Sequence, residues 1–281
     1  MKARIKQKNH WKSSHYLILL FLILYVVIIV YPLIWMVISS MKSYSEIYGD
    51  VWGLPSEWLV VNYATAWSKG ISNYFINSMI VTGSTIILVV IIGSLAAYGL
   101  SRYKTRAVDI MLVLVMLGMM VNPQVCLIPL YRLLRGLSLH NTRFSLVLIY
   151  TTFRLPLSIL LIRSYFLGIP KEIEESARLD GCGDFGIYSR IFLPMSKPII
   201  STIVVLTAYY AWNEFLFAII FIDSTNLKTI PAGLMNFRDA LQTDWGVLLA
   251  GMVIATIPMI IMLIALQKQL VRGLSEGSVK G

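Results

Sequence analysis

Residues 70–101 read GISNYFINSMIVTGSTIILVVIIGSLAAYGLS, a run of 32 residues with no Asp, Glu, Lys or Arg. A helix rises ~1.5 Å per residue and needs ~20 apolar residues to cross ~30 Å of hydrocarbon, so this run is long enough to span a bilayer. Working outward, residues 13–41, 110–131 and 245–267 are likewise uncharged. Two further stretches carry one charge each: 144–162 contains Arg154, and 198–222 contains Glu214. The expectation is an all-α membrane protein with six transmembrane helices, over about residues 16–40, 74–100, 108–131, 144–166, 198–222 and 245–267. These form a single transmembrane domain over residues 1–281.

Composition agrees. The 281 residues are 57% hydrophobic and 14% charged, where a soluble domain carries about a quarter charged residues. The net charge of +10 raises nucleic acid as a partner, but its distribution argues otherwise. With both termini on one side, that side holds 16 Lys and Arg (the N-terminal tail, residues 101–109, 163–197 and the C-terminal tail). The opposite loops hold 7. By the positive-inside rule both termini are cytoplasmic. The basic charge is then a cytoplasmic collar, and no nucleic-acid partner is expected. The first helix has a basic start like a secretory leader, but its apolar run is too long and no small-residue cleavage site follows, so it reads as a retained helix.

Small residues punctuate two of the helices at packing spacings: Gly93, Ala96, Ala97 and Gly99 in the second, and Gly246, Ala250, Gly251 and Ala255 in the sixth. Cys126 and Cys182 stand far apart, and His10, His15 and His140 are scattered. No metal site is expected, because neither set has ligand spacing. The sequence also lacks the GxxxxGK[ST] phosphate loop and the HExxH and GxSxG motifs. No catalytic residue is assigned.

The 35-residue stretch 163–197 reads as helix, break, helix. Pro170 sits at an expected first helical position, with Glu172, Glu174 and Glu175 in the first turn, where acids suit the positive end of the helix. Gly181 and Gly183 break it, Gly181 being placed for a sharp turn with positive φ. A second segment, 184–193, is expected to end at Pro194. Such an element is a candidate docking surface for a partner.

Glu175-Ser176-Ala177, three residues, Gly181, nine residues, then Ile191-Phe192-Leu193-Pro194 resembles the EAA signature of permease subunits of ATP-binding-cassette (ABC) importers. Ser176 in place of alanine is the one departure. The flanking run from Ile169 to Gly181 is similar to the carbohydrate-uptake branch, in particular to MalG-type subunits. Asn62-Tyr63, Asn77-Ser78, Ile128-Pro129-Leu130-Tyr131 and Ala211-Trp212-Asn213-Glu214 match in the same order along the chain. The resemblance implies the permease architecture of type I importers in a bacterial plasma membrane. It implies a coupling loop over 168–197 whose Glu175, Ser176, Ala177, Asp180, Gly181, Ile191, Leu193 and Pro194 engage an ATPase. It further implies as partners a second permease of a different chain, two ATPase subunits that carry ATP and Mg, and an extracytoplasmic sugar-binding protein. No cofactor is expected on this chain.

Arg154 and Glu214 fall ~15 Å and ~12 Å below the outer surface at 1.5 Å per residue. One reading pairs them as a bridge between the fourth and fifth helices. The other puts one or both on a sugar pathway with Trp212 and Asn213, Arg154 then pointing to an acidic sugar. The outer loop 223–244, with Thr229, Pro231, Gly233 and Leu234, would by the same resemblance reach the binding protein, Gly233 bending its tip. Trp245, at the loop's end, otherwise serves as an interfacial anchor. An ion-coupled secondary carrier using Glu214 as a proton relay is the competing class; it accounts for the spans and buried charges but not for the EAA spacing.

Overall fold

The structure, a computed structural model, describes residues 13–237 and 244–278. Every regular element among them is helical. α1 (Ser13–Ser39) is apolar on all sides, and from Tyr16 to Val30 every side chain is exposed. The short α2 (Tyr44–Gly49) carries a capping box in which Ser43 and Glu46 satisfy each other's backbone. α3 (Val61–Ala66) runs through a π-helical turn at Trp67–Ile71 into α4 (Ser72–Arg102). α5 (Arg106–Met120), a 3-10 turn at Pro123–Cys126 and α6 (Leu127–Gly136) follow. α7 (Arg143–Leu167) leads into the long loop, which folds as α8 (Lys171–Leu179), α9 (Asp184–Ile187), a π-helical turn at Tyr188–Phe192 and α10 (Leu193–Met195). α11 (Lys197–Asn213), α12 (Leu216–Phe221), α13 (Ile230–Leu234) and α14 (Trp245–Ser278) complete the chain.

Among the described residues four helices are long and apolar enough to cross a membrane: Tyr16–Ser39, Val61–Arg102, Arg143–Leu167 and Trp245–Gln267. Two bent pairs raise the number to six if each is one span. Here the expected straight spans need correction. The third, 108–131, turns by 90° between Met120 and Pro123. The cause is local: proline restricts the residue before it, and Asn122 caps the new turn by accepting from the Gln124 N–H at 2.9 Å. The fifth, 198–222, stops at Asn213 and restarts at Leu216, so Glu214 lies at a break rather than inside a helix. The segment before it, Asp184–Met195, meets α11 at 76° across Ser196.

α4 packs on α7 and α11, and α11 on α14. In lipid, apolar burial between helices gives little drive, and close packing holds them instead. Gly93 and Ala97 lie in the α4–α7 contact as expected, whereas nothing stands within 4 Å of a Cβ built on Gly99. Three buried clusters result. One, at the end of the bundle that holds the long loop, centres on Tyr98, Phe166 and Phe192. One, toward the far end, centres on Tyr150, Phe217 and Phe221. The third joins Ala66, Tyr74 and Trp212.

Polar side chains stitch the far end. Asn62 donates to the Ser40 and Lys42 carbonyls at 2.9 and 3.1 Å, and Asn77 to those of Asn226 and Lys228 at 2.8 and 2.9 Å. The fully buried Lys42 gives its ammonium to the Asp50 and Val51 carbonyls. Two motif residues singled out by the sequence, Asn62 and Asn77, are thus loop ties.

Candidate functional site

The long loop folds as short helices around a glycine turn. α8 begins at Lys171, one residue later than expected, with Pro170 as its cap. It ends in a Schellman turn: the Gly181 N–H reaches the Arg178 carbonyl at 3.0 Å, and the Cys182 N–H reaches Ala177 at 2.9 Å. That turn requires the left-handed backbone, and Gly181 has φ +82°. The next segment passes through Pro194 and stops at Met195, where the sequence expected a stop at Pro194. Glu175, Ser176, Asp180, Gly181 and Pro194 are exposed, Ile191 and Leu193 are half-buried, and Ala177 is buried against the bundle. Two apolar side chains stand outward beside them: Leu179 is 90% exposed and Phe185 74%.

A cluster of charges unforeseen in the sequence fixes this element to the spans. Arg102, the last residue of α4, donates to the Phe166 carbonyl at 2.6 Å and lies 3.4 Å from Glu174 of α8. Its guanidinium covers the Phe192 ring at 4.3 Å. Arg178 bonds Glu174 at 2.9 Å and Asp184 at 2.6 Å. Tyr103 donates its hydroxyl to Asp184 at 2.9 Å. The Tyr103 bond, and then Arg178, hold the Asp184 carboxyl below its usual range. The same bond, with the charge of Asp184, raises the Tyr103 phenol. Bonds to Glu174 and Asp184 raise Arg178.

The mid-bundle charges do not form the bridge considered above. Glu214 accepts from the Tyr150 hydroxyl at 2.8 Å and from the N–H groups of Phe217 (2.9 and 3.1 Å) and Ala218 (3.2 Å). The break before α12 frees those N–H groups, and the carboxylate satisfies them. Arg154 instead lies over the Tyr210 ring at 5.2 Å. Trp212, expected on the pathway, is buried, with Nε1 donating to the Ala255 carbonyl at 3.0 Å. Asn213 is exposed, its amide donating to the Tyr209 carbonyl at 2.8 Å. Tyr150 and Tyr210 were missed in the sequence because tyrosines in an apolar run read as packing.

The outer loop also differs from expectation. Residues 230–234 form α13, and Gly233 is inside it rather than at a bent tip. A Cβ there would lie 2.3 Å from the Tyr74 ring, so the glycine serves close approach. Thr229 is buried, and Pro231 and Leu234 are half-buried. The Ile230 N–H donates to Ser78 Oγ at 2.9 Å, tying α13 to α4. Residues 238–243 of this loop lie outside the described residues. Trp245 donates to the Tyr48 hydroxyl at 2.7 Å. Among the described residues no group of His, Cys, Asp or Glu is placed to hold a metal, and both cysteines are free.

The chain belongs to the family of binding-protein-dependent transport system inner membrane components, which it matches over residues 89–276. It is 53% identical over 281 residues to the probable ABC transporter permease protein YurM of Bacillus subtilis (strain 168), covering 100% of this chain and 94% of that protein. It is 33% identical over 252 residues to the melibiose/raffinose/stachyose import permease protein MelC of the same organism, covering 89% and 91% respectively. The fold matches a chain of a bacterial ABC transporter involved in import of the acidic polysaccharide alginate, with TM-score 0.81 and 23% identity over 92% of this chain and 98% of that one. The sequence resemblance to ABC permeases is thereby upheld, and the chain is a multi-pass membrane protein.

Proposed function

We propose that this chain is one of two membrane-spanning subunits of an ATP-driven importer for a carbohydrate in a bacterial plasma membrane. The bent pair Arg106–Met120 and Pro123–Gly136 is the third span, and α11 with α12 is the fifth, giving six crossings with both termini cytoplasmic, as the 16 to 7 split of basic residues supports. The relatives named as sugar permeases support the substrate class. The observation that carries the reading is the element from Lys171 to Met195, a helix and a glycine turn fixed to α4 by the Arg102–Glu174 ion pair. Beside its EAA residues it offers the outward Leu179 and Phe185 to a partner.

In this reading α8 is the coupling helix, seated on an ATPase subunit that binds ATP and Mg and performs the hydrolysis. Nucleotide-driven closure of two ATPases moves α8, and the Arg102–Glu174 pair passes that motion to α4. The cavity between this chain and a second, different permease then changes the side it opens to. Such rigid-body gating shifts a two-state equilibrium only by the differential affinity of its ligands. A binding protein delivers the sugar at the outer face, where the 223–244 loop is its candidate contact. Asn213, Glu214 and Arg154 are the candidate pathway residues; Trp212 supports them by packing α11 on α14.

The test is co-expression with the partner subunits and measurement of ATP hydrolysis. Wild type retains the ATPase, and binding protein with sugar stimulates it. Gly181→Asp places a Cβ and a charge in a left-handed turn and is expected to abolish retention or stimulation. A wild-type chain that retains no ATPase, and whose transport follows a proton gradient, would overturn the reading.

A further inference from the structure

Arg154 lies midway along α7, and no counter-charge stands beside it among the described residues. Its Cζ is 5.2 Å from the centre of the Tyr210 ring, and its Nε is buried without a hydrogen-bond partner. Among the described residues no carboxylate stands within ion-pair distance of it; the ion pairs there use Arg102, Arg178 and His140. Glu214, the other charged residue at this depth, has both oxygens engaged by Tyr150, Phe217 and Ala218.

An unpaired charge at membrane depth is costly, and it faces a bundle interior or a water-filled path. The surroundings point to the second. Asn213 follows Tyr210 by three residues and so shares its face of α11, and Asn213 is exposed. Tyr209 beside it is 64% exposed. The Asn213 amide donates to the Tyr209 carbonyl, and lipid offers no partner to the Asn213 amide oxygen or the Tyr209 hydroxyl. The Tyr210 ring, 5.2 Å from the Arg154 Cζ, adds no anion. A guanidinium is a planar fork that matches a carboxylate, which it binds through two parallel N–H donors.

We propose that Arg154, stacked on Tyr210, is a carboxylate-binding subsite of the translocation path, and that the imported sugar carries an acid group. This rests on the importer reading above and narrows its substrate class. A lysine in its place keeps the charge but loses both fork and stack. Removing the ring leaves the charge without its orientation.

The test uses the assembled importer in proteoliposomes: this chain, its second permease, the ATPase and the binding protein. The probes are uronate-bearing di- and trisaccharides, their neutral methyl esters, and neutral oligosaccharides. Acidic probes are expected to stimulate ATP hydrolysis and their esters to fail. Arg154→Gln is expected to raise the half-maximal probe concentration about tenfold or more, the scale of one charge-assisted contact. Arg154→Lys and Tyr210→Leu should each recover part of the response. Retention of the ATPase by each variant reports that it has folded and assembled.

Stimulation by neutral sugars alone, no response to any acidic probe, or a wild-type response in Arg154→Gln overturns the proposal and leaves the importer reading intact. Loss of the second permease from the Arg154→Gln complex also overturns it, because the missing anion is then a carboxylate of that subunit. Failure of the wild-type chain to retain an ATPase sinks the importer reading itself.

Discussion

Arg102 and Arg154 are both placed over an aromatic ring, yet their surroundings are opposite. Arg102 covers Phe192 and also holds the Phe166 carbonyl and Glu174, and through Glu174 it joins Arg178, Asp184 and Tyr103. Arg154 covers Tyr210 and holds no acid. The chain closes its charges where the long loop meets the end of α4. It leaves one open midway along α7, where the proposed path would run. A closed cluster serves the fold of this chain; an open one looks outside it for a partner.

Paired substitutions put the contrast to the test. Arg102→Met leaves Glu174, 13% exposed, without its buried partner. Stripping one member from a largely buried ion pair costs roughly 3 kcal/mol. A large fall in the melting temperature of the purified complex is expected, with faster amide exchange along α8. An unchanged melt would make the cluster an ornament and erase the contrast. Tyr150→Phe removes the hydroxyl that bonds the Glu214 carboxylate. A hydrogen bond to a charged group contributes about 2 kcal/mol, so a smaller fall in the same melt should follow. Arg154→Met goes the other way. Replacing an unpaired charge by an apolar chain of similar length should leave the melt unchanged or raise stability by about 1 kcal/mol. A clear loss would reveal a hidden counter-charge.

The smallest effect is a pH response of the long-loop cluster. Asp184 is lowered when folded, so its contribution is present above its unfolded value of about 4 and lost as pH falls through the folded one. Tyr103 is raised, so its contribution is present below about 10 and lost as pH rises through the raised value. Exchange protection of the Gly181 turn, corrected for intrinsic rates, should form a plateau between those limits. Tyr103→Phe should flatten both edges. Both groups are solvent-exposed, so a steep change would mean that they are buried by a partner.

Much of this was legible in the sequence. The apolar runs, one of them interrupted by Arg154, placed α1, α4, α7 and α14, because hydropathy records whether a helix suits lipid. It does not record direction, so the bend in the third span and the break in the fifth escaped. The first had a signal in Asn122-Pro123, a helix-stopping pair. The break at Glu214 had no Gly or Pro to mark it; the Glu214 carboxylate satisfies it by accepting from Tyr150 and from the freed N–H groups of α12. The Gly181 turn was readable because one backbone geometry demands one residue type. Gly233 was misread for the opposite reason. Its requirement comes from Tyr74, far away in sequence, and spacing along a loop says nothing of such neighbours. The Arg102–Glu174 contact and the ring under Arg154 are likewise products of tertiary packing.

The open charge has an electrical consequence. A membrane potential that is negative inside opposes inward movement of an anion by about 2.3 kcal/mol per charge per 100 mV. A fixed guanidinium partway across cannot change that total, which in the proposed importer ATP would supply. It changes the profile, replacing one continuous climb with two shorter ones separated by a resting place. Uptake of a singly acidic sugar through such a chain should therefore vary less steeply with voltage than uptake through its Arg154→Gln counterpart.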